Sequence, residues 1–257
     1  FDKRYNRKAH PEDRIEESWE AALSKNPRLF DGSKFRLHRV SFDKDTKLLR
    51  LELGLTSYKE YLGTNRLEEK QRQYLQQQGL EHFEDEAAHL ANALGCEAAL
   101  LTCDQQLVLL RRSSAVGTHA GLYNGPSGHP EPQNLGFPNA SDWDGSSDSE
   151  LTTAVMKEIF QSAVDEVVAE TGVPADTLSD PQLMGFMADP AMKPDVLFLL
   201  RTSLDSGALK DGIGKAQEAW ESDRLVFWPL ATADACDLPL TAVTRAAFQC
   251  LKELEKK

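Results

Sequence analysis

The pattern that most constrains this chain is a long acidic helix with strand patterns on both sides of it. The helix runs from about Ser149 to Thr171 and ends at Gly172, a residue type favoured where helices stop. Its apolar residues lie largely on one side, and carboxylates one turn apart lie on the other. Such a helix must bury its apolar side, so we expect these apolar residues to pack inward.

Strand and helix patterns alternate along the rest of the chain. Residues 35–40 with 48–53, and 98–103 with 107–112, predict two hairpins, because apolar strand patterns flank short polar turns. Helical patterns occupy 14–23, 66–78 with 84–93, and 241–255, and further strand patterns occupy 183–187, 196–202 and 225–230. Residues 134–148, rich in Gly, Pro, Ser, Asn and Asp, predict an exposed insertion. Strands interleaved with helices on a mixed sheet predict either an α+β or an α/β/α class.

Composition narrows the class of protein. The chain has 257 residues and a formal charge of −12, which argues against sequence-independent binding of nucleic acid. No apolar run is long enough to span a bilayer, so we expect no membrane partner. The four cysteines show no C-x-x-C spacing and have the apolar or helical surroundings typical of buried free thiols. We therefore expect an intracellular, cytoplasmic protein. The pattern changes near residues 92–95, which predicts an N-terminal extension at 1–94 and a second domain at 95–257.

The acidic helix carries the first candidate for chemistry. Glu166 and Glu170 are four residues apart, so they stack one turn apart on one face, and Glu158 continues the stripe. Carboxylates aligned on an anchored helix suit hard divalent cations, which prefer oxygen ligands. From spacing alone, the favoured interpretation is an ordinary amphipathic helix with a solvated acidic face.

The helix and the loop at 125–132 (GPSGHPEP) together resemble the Nudix box, the loop-helix-loop motif of Nudix hydrolases. Gly128 matches the opening glycine of that motif, and Glu166, Glu170 and Gly172 match its tail. The departures are Asp165 where the family has Arg, Ala169 where it has Glu, Lys157 where strict counting expects an earlier Glu, and an insertion between loop and helix.

A second resemblance concerns the N-terminal region. The segments 29–31, 34–38, 54–58, 62–65 and 128–133 resemble one Nudix branch, the UDP-glucose/UDP-galactose pyrophosphatases of animals. This resemblance implies a Nudix-type α/β/α sandwich with a mixed sheet and an N-terminal α+β extension. It also implies Mg²⁺-dependent hydrolysis of UDP-glucose or UDP-galactose to UMP and hexose 1-phosphate, with Mn²⁺ as the alternative metal.

The resemblance assigns candidate roles to individual residues. The metal ligands would be Glu166, Glu170 and the backbone carbonyl of Gly128, and the catalytic carboxylates would be Glu166, Glu170 and Glu158. The general base stays open among Glu166, Glu158 and Glu131. The candidates for contact with the UDP-sugar are six residues: Lys34, Phe35, Arg36, Tyr58, Asn65 and Arg111.

Two alternatives remain open from the sequence. The box fixes the reaction and not the leaving group, so the substrate could be ADP-ribose, coenzyme A or another nucleoside diphosphate derivative. The departures at Asp165 and Ala169 also suit a catalytically degenerate protein that binds a UDP-sugar without turnover. The sequence does not fix the oligomeric state.

Overall fold

A computed structural model describes residues 2–10, 14–113, 121–143, 145–146, 148–212 and 222–255. The chain forms two compact units. The first unit comprises Phe1–Leu94, Pro130–Glu158 and Ala188–Pro194, and the second comprises Gly95–His129, Ile159–Met187 and Asp195–Lys257. The predicted division into independent domains at 1–94 and 95–257 stays a prediction.

The first unit is built on a two-stranded antiparallel hairpin. Strands β1 (Ser33–Asp43) and β2 (Leu48–Ser57) pair from Ser33 opposite Ser57 to Asp43 opposite Leu48, with one irregularity near residue 38. Three helices accompany them, namely α1 (Ile15–Lys25), α2 (Tyr58–Gly63) and α3 (Glu69–Phe83). The predicted hairpin and first helix are confirmed, and the unit has the α+β character expected of the N-terminal region.

The predicted helix at 84–93 is wrong. Helix α3 ends at Phe83 because Glu84 takes a left-handed conformation with φ of 55°, and its N–H caps the carbonyls of Gly79 and Leu80. Residues beyond it form turns and short bridges, and the carbonyls of Ala87 and Leu90 accept hydrogen bonds from Arg36 on β1. Contacts from a distant strand therefore replace the intrahelical bonds that this segment would otherwise need.

The predicted exposed insertion at 134–148 is partly ordered. Two short 3₁₀ helices form at Pro132–Leu135 and Ala140–Asp142. Trp143 is only 3 % exposed, and its indole N–H donates to the carbonyl of Ser146 at 2.6 Å. A single large aromatic side chain thus anchors a segment whose composition indicates an exposed loop.

A mixed sheet forms the second unit. Its strands are β3 (Gly95–Leu101), β4 (Gln106–Arg112), β5 (Tyr123–Asn124), β6 (Ser127–Gly128), β7 (Gln182–Ala188), β8 (Pro194–Arg201) and β9 (Ser222–Pro229). The order is β5-β4-β3-β8-β7, with β6 added to β3 and β9 added to β4. Strands β3 and β8 are parallel, whereas β3–β4 and β4–β9 are antiparallel. The second predicted hairpin and the three later strands are confirmed.

Helices cover both faces of this sheet. Helix α4 (Ser149–Thr171) packs on one face, where the rings of Phe160 and Phe198 are 5.0 Å apart. Helix α6 (Ala242–Glu255) packs on the other, where Phe248 joins a buried cluster with Leu101 and Leu199. A short helix, α5 (Ser206–Gly212), follows β8. Alternate residues of β3 and β8 therefore face opposite helices, and the predicted α/β/α sandwich with a mixed sheet is confirmed.

Helix α4 has the bounds that the sequence predicts. Gly172 follows it with φ of 71°, a left-handed conformation that glycine adopts at little cost, and its N–H donates to the carbonyl of Val168. Within the described ranges, no helix is long and apolar enough to cross a membrane. All four cysteines are free. Cys96 is buried as expected, Cys236 and Cys250 are half-buried, and Cys103 is exposed, so the expectation of burial is wrong for Cys103.

Candidate active site

A short segment of the second unit meets the acidic face of helix α4. Strand β6 pairs with β3, which places Gly128 opposite Cys96 and Ser127 opposite Glu97. A Cβ atom at Gly128 would lie 1.7 Å from Oε1 and 2.2 Å from Cδ of Glu166. The backbone at position 128 therefore lies directly against that carboxylate. No space remains there for a side chain unless the carboxylate moves.

The second carboxylate reaches the same segment from one turn further along the helix. Glu170 is 5 % exposed, and its Oε2 accepts a hydrogen bond from the backbone N–H of Ser127 at 3.2 Å. Glu166 is half-buried. The structure thus brings together the three residues predicted as metal ligands: Gly128, Glu166 and Glu170.

The donor set has the chemistry of a site for a hard divalent cation. It offers two carboxylates and the backbone oxygens of a closely packed loop, and such oxygen ligands suit Mg²⁺. Among the described residues, no group of three or more His, Cys, Asp or Glu side chains could hold a metal ion. Mg²⁺ needs only one or two carboxylates when substrate phosphates complete its coordination, so a pair of glutamates fits this ion.

A buried thiol lies near Glu166. Cys96 is 1 % exposed and accepts a hydrogen bond from the Ser162 hydroxyl at 3.5 Å. Burial raises the pKa of this thiol to about 12, and the Glu166 carboxylate adds to the rise. A thiol with this pKa stays protonated at neutral pH, so Cys96 is a buried packing residue and not a nucleophile.

The departures from the box have defined positions on α4. Asp165, at the position of the family arginine, is exposed and accepts a hydrogen bond from Gln161 at 2.8 Å. Lys157 is also exposed, whereas Glu158 is 8 % exposed. Glu158 is therefore the buried carboxylate of this turn. It lies one position after Lys157, where strict counting of the motif expects a glutamate.

In the first unit, Glu158 holds the loop that follows the glycine motif. Its Oε1 accepts hydrogen bonds from the backbone N–H of Glu131 at 2.8 Å and from the side-chain amide of Asn134 at 3.1 Å. The Lys34 ammonium forms an ion pair with Glu131 at 2.5 Å. Lys34, Glu131 and Glu158 thus form one connected group. Sequence reasoning missed Asn134, which no motif marks.

The environment of Glu131 changes its acidity. Burial raises the pKa of its carboxyl group, the Lys34 ammonium lowers it, and the nearby charge of Glu158 raises it further. The net result is a pKa above the usual value, which makes this carboxylate a better proton acceptor when it is ionised.

Arg36, predicted to contact substrate, is 1 % exposed. Its guanidinium donates to the carbonyls of Leu90 at 3.0 Å, Tyr5 at 2.7 Å and Ala87 at 2.6 Å. Burial lowers its pKa to about 10. These hydrogen bonds give Arg36 a structural role within the first unit, and this role requires no substrate.

The other predicted substrate contacts differ in accessibility. Phe35 and Asn65 are buried, and the Asn65 amide donates to Asn92 at 3.0 Å and to the carbonyl of Ala191 at 2.9 Å. Tyr58 is half-buried and packs edge-on against Trp19 with ring centroids 6.4 Å apart, and burial raises its pKa. Of this group, Tyr58 and Lys34 retain accessible surface in the first unit. In the second unit, the half-buried Arg111 pairs across the sheet with β5 and β9.

The first unit also contains an open polar cleft of about 590 Å³. None of the predicted site residues lines it. Its cations are paired, since Arg7 binds Glu60 at 2.9 Å and Lys59 binds Glu16 at 2.6 Å. A diphosphate would find no net positive charge there, so the cleft is not our candidate site.

Comparison with known proteins gives several relatives. The chain is 38 % identical to uridine diphosphate glucose pyrophosphatase NUDT22 of mouse over 81 % of its own length and 68 % of the mouse protein. The human protein of that name is 39 % identical, with 81 % and 69 % covered. Nudix hydrolase 9 of Arabidopsis thaliana is 33 % identical, with 83 % and 70 % covered. No family model matches the chain.

Among solved structures, the MutT protein of Methanosarcina mazei Go1 covers 64 % of this chain and 95 % of its own. Its TM-score is 0.42 at 18 % identity, a likeness too low to support a conclusion.

Proposed function

This chain belongs to the Nudix hydrolases, and on that premise we propose that it hydrolyses UDP-glucose and UDP-galactose to UMP and hexose 1-phosphate. The observation that carries the proposal is the identity of 38–39 % with relatives named UDP-glucose pyrophosphatase, over 81 % of the chain. The meeting of Glu166, Glu170 and Gly128 supports it, because hydrolysis of a diphosphate depends on charge neutralisation and positioning.

The metal in this proposal is Mg²⁺, with Mn²⁺ as the alternative. Glu166 and Glu170 would supply carboxylate oxygens, and the backbone carbonyl of Gly128 would supply a further one. When bound, a divalent cation offsets the charge of the diphosphate and lowers the pKa of a coordinated water. The hydrogen bond from Ser127 to Glu170 keeps that carboxylate turned toward the loop.

The reaction adds the oxygen of water to one phosphorus and breaks the bond between that phosphorus and the bridging oxygen. A base must accept a proton from the water. Glu166, Glu158 and Glu131 are the candidates, and within the first unit the environment of Glu131 suits this role better than that of Glu158. One Glu158 oxygen is already occupied by two N–H donors, whereas Glu131 has a raised pKa and a 31 % exposed side chain.

Lys34 has a double role in this scheme. It balances the charge of Glu131 in the free protein, and its ammonium is a phosphate-binding group. Tyr58 offers a partly exposed ring on which a uracil base could stack.

The test is chromatography of the products after incubation with UDP-glucose and Mg²⁺. We expect equal amounts of UMP and glucose 1-phosphate, and their loss on addition of a chelator. A panel with UDP-galactose, ADP-ribose and coenzyme A at equal concentrations would rank the substrates. Faster cleavage of ADP-ribose or coenzyme A would replace the UDP-sugar proposal with the other nucleotide.

A second candidate is a protein that binds UDP-sugars without turnover. Asp165 and Ala169 favour it, because the arginine and one glutamate of the box are missing and Asp165 is turned to solvent. It predicts thermal stabilisation by UDP-glucose with no UMP released at micromolar enzyme in Mg²⁺ or Mn²⁺.

A further inference from the structure

The segment at residues 123–128, here called the metal segment, is anchored at both ends in the sheet. Its start, β5, pairs with β4, and its end, β6, pairs with β3. Between them the carbonyl of Pro126 accepts a hydrogen bond from the N–H of Ala98 at 2.8 Å. The segment therefore links β4 to β3 and stays close to β3.

Gly125 fixes how close the segment lies to β3. A Cβ atom there would lie 2.6 Å from the carbonyl oxygen of Ala98 and 3.3 Å from the side chain of Glu97. The backbone at this point has no space on its β3 side. Its N–H donates to the hydroxyl of Thr244 at 3.3 Å.

Thr244 belongs to the first turn of the C-terminal helix, α6. Thr241 caps that turn, since its hydroxyl accepts a hydrogen bond from the N–H of Thr244 at 3.2 Å. The N–H of Thr241 donates to the carbonyl of Tyr123 at 2.9 Å, and the two threonine hydroxyls are 2.8 Å apart. Thr241 and Thr244 are 6 % and 1 % exposed, so water does not compete for these bonds.

Hydrogen bonds also cross the metal segment from end to end. The amide of Asn124 donates to the hydroxyl of Ser127 at 2.8 Å, and the N–H of Ser127 donates to Glu170. A displacement at Tyr123, Asn124 or Gly125 would therefore be transmitted to the residues that face the glutamates.

We propose that the first turn of α6, through Thr241 and Thr244, is a positioning element of the metal site. It holds the metal segment so that Ser127 meets Glu170 and Gly128 meets Glu166. The inference rests on the proposed function for the identity of the site, and it adds residues far along the chain that no metal motif contains. The competing view is that the two threonines serve only to cap α6.

The test is the affinity for Mn²⁺ alone, measured by electron paramagnetic resonance without nucleotide, together with amide hydrogen exchange of residues 123–128. Thr244→Val keeps the shape of the side chain but removes the acceptor for the N–H of Gly125. We expect about 10-fold weaker Mn²⁺ binding, as for other residues that orient metal ligands, and faster exchange in the metal segment. Thr244→Ser keeps the hydroxyl and should retain nearly native values.

Leu251→Ala is the matched control, because Leu251 is a buried residue of the same helix that belongs to the apolar cluster. It should lower the Tm but leave Mn²⁺ affinity and exchange in the metal segment near native. Equal weakening in Leu251→Ala and Thr244→Val would overturn the proposal in favour of simple helix stability. Native Mn²⁺ affinity in Thr244→Val would also overturn it, as would a native protein that binds no Mn²⁺.

If Thr244→Val does not fold, Asn124→Ala tests the same segment from within. It removes the bond to Ser127 and should also weaken Mn²⁺ binding, and unchanged binding would contradict the proposal. Because the readout is the metal alone, it separates this inference from the proposed substrate. A protein that loses Mn²⁺ affinity as expected but cleaves no UDP-sugar keeps the inference and loses the proposed function.

Discussion

Replacing Gly128 by alanine tests the close contact between the backbone of residue 128 and the carboxylate of Glu166 on helix α4. The new Cβ would lie 1.7 Å from Oε1 of Glu166, and ordinary van der Waals contact begins at 3.4 Å. The carboxylate oxygen must therefore move by about 1.7 Å, the difference between these distances. A misplacement of about 1 Å at a reacting centre can reduce the rate about 10²-fold, so we expect kcat to fall by at least that factor.

The same geometry predicts a small effect on stability. The clashing atoms are the far end of a flexible, half-buried side chain, which can rotate away without moving the backbone. We expect the free energy of unfolding to change by less than about 1 kcal/mol, within the range of tolerated substitutions. The assay is release of UMP from UDP-glucose, with Tm measured in parallel.

Two other glycines provide controls. At Gly185 a Cβ would be 3.5 Å from the sulfur of Cys250, an ordinary contact, so Gly185→Ala should keep both activity and Tm. At Gly125 it would be 2.6 Å from a backbone oxygen, so Gly125→Ala should lower the Tm. A Gly128→Ala protein with kcat within twofold of native would refute the assignment of Glu166 to the metal site.

Three further predictions concern single side chains. Glu170→Gln should lower kcat by ~10²-fold or more with little change in Tm, because the negative charge that it removes is needed only to bind the metal. The control Asp165→Asn alters the exposed side of the same helix and should keep activity. Equal losses in both variants would contradict the assignment of Glu170 to the metal site. Lys34→Met removes a cation that lowers the pKa of Glu131, so the acidic limb of the pH–kcat profile should move to higher pH, and an unmoved limb would exclude Glu131 as the base. Because the pKa of Glu131 is raised in the folded protein, this carboxyl group stabilises the fold while it is protonated. Its contribution to the free energy of unfolding should be lost as the pH rises through the folded-state pKa. Arg36→Leu leaves buried carbonyls without a donor and should cost about 2 kcal/mol or more in the free energy of unfolding, measured by urea denaturation; an unchanged midpoint would contradict the structural role.

The sequence predicts best where the signal is local. Helix α4 ends where Gly172 can take a left-handed conformation, and a hairpin forms where apolar strands flank Asp43 and its polar neighbours. The pairing of Glu166 with Glu170 follows from helical spacing alone. These features depend on a few neighbouring residues.

The sequence predicts worst where distant segments meet. Residues 84–93 have helical composition, but the carbonyls of Ala87 and Leu90 accept hydrogen bonds from Arg36, which lies on a strand far earlier in the chain. Lys34 and Glu131 form an ion pair across 97 positions. Thr244 lies 119 positions from the N–H that it binds. Such pairings depend on the tertiary fold, and one sequence carries no periodicity that marks them.

The products formed from UDP-glucose test the proposed activity most directly. Purified protein should convert UDP-glucose with Mg²⁺ into UMP and glucose 1-phosphate in equal amounts, and Glu170→Gln should slow the release of both by ~10²-fold or more. Release of UDP and glucose would mean cleavage at the sugar instead of the diphosphate. That result, or no product with Mg²⁺ or Mn²⁺ at micromolar enzyme, would contradict hydrolysis of the diphosphate by this protein.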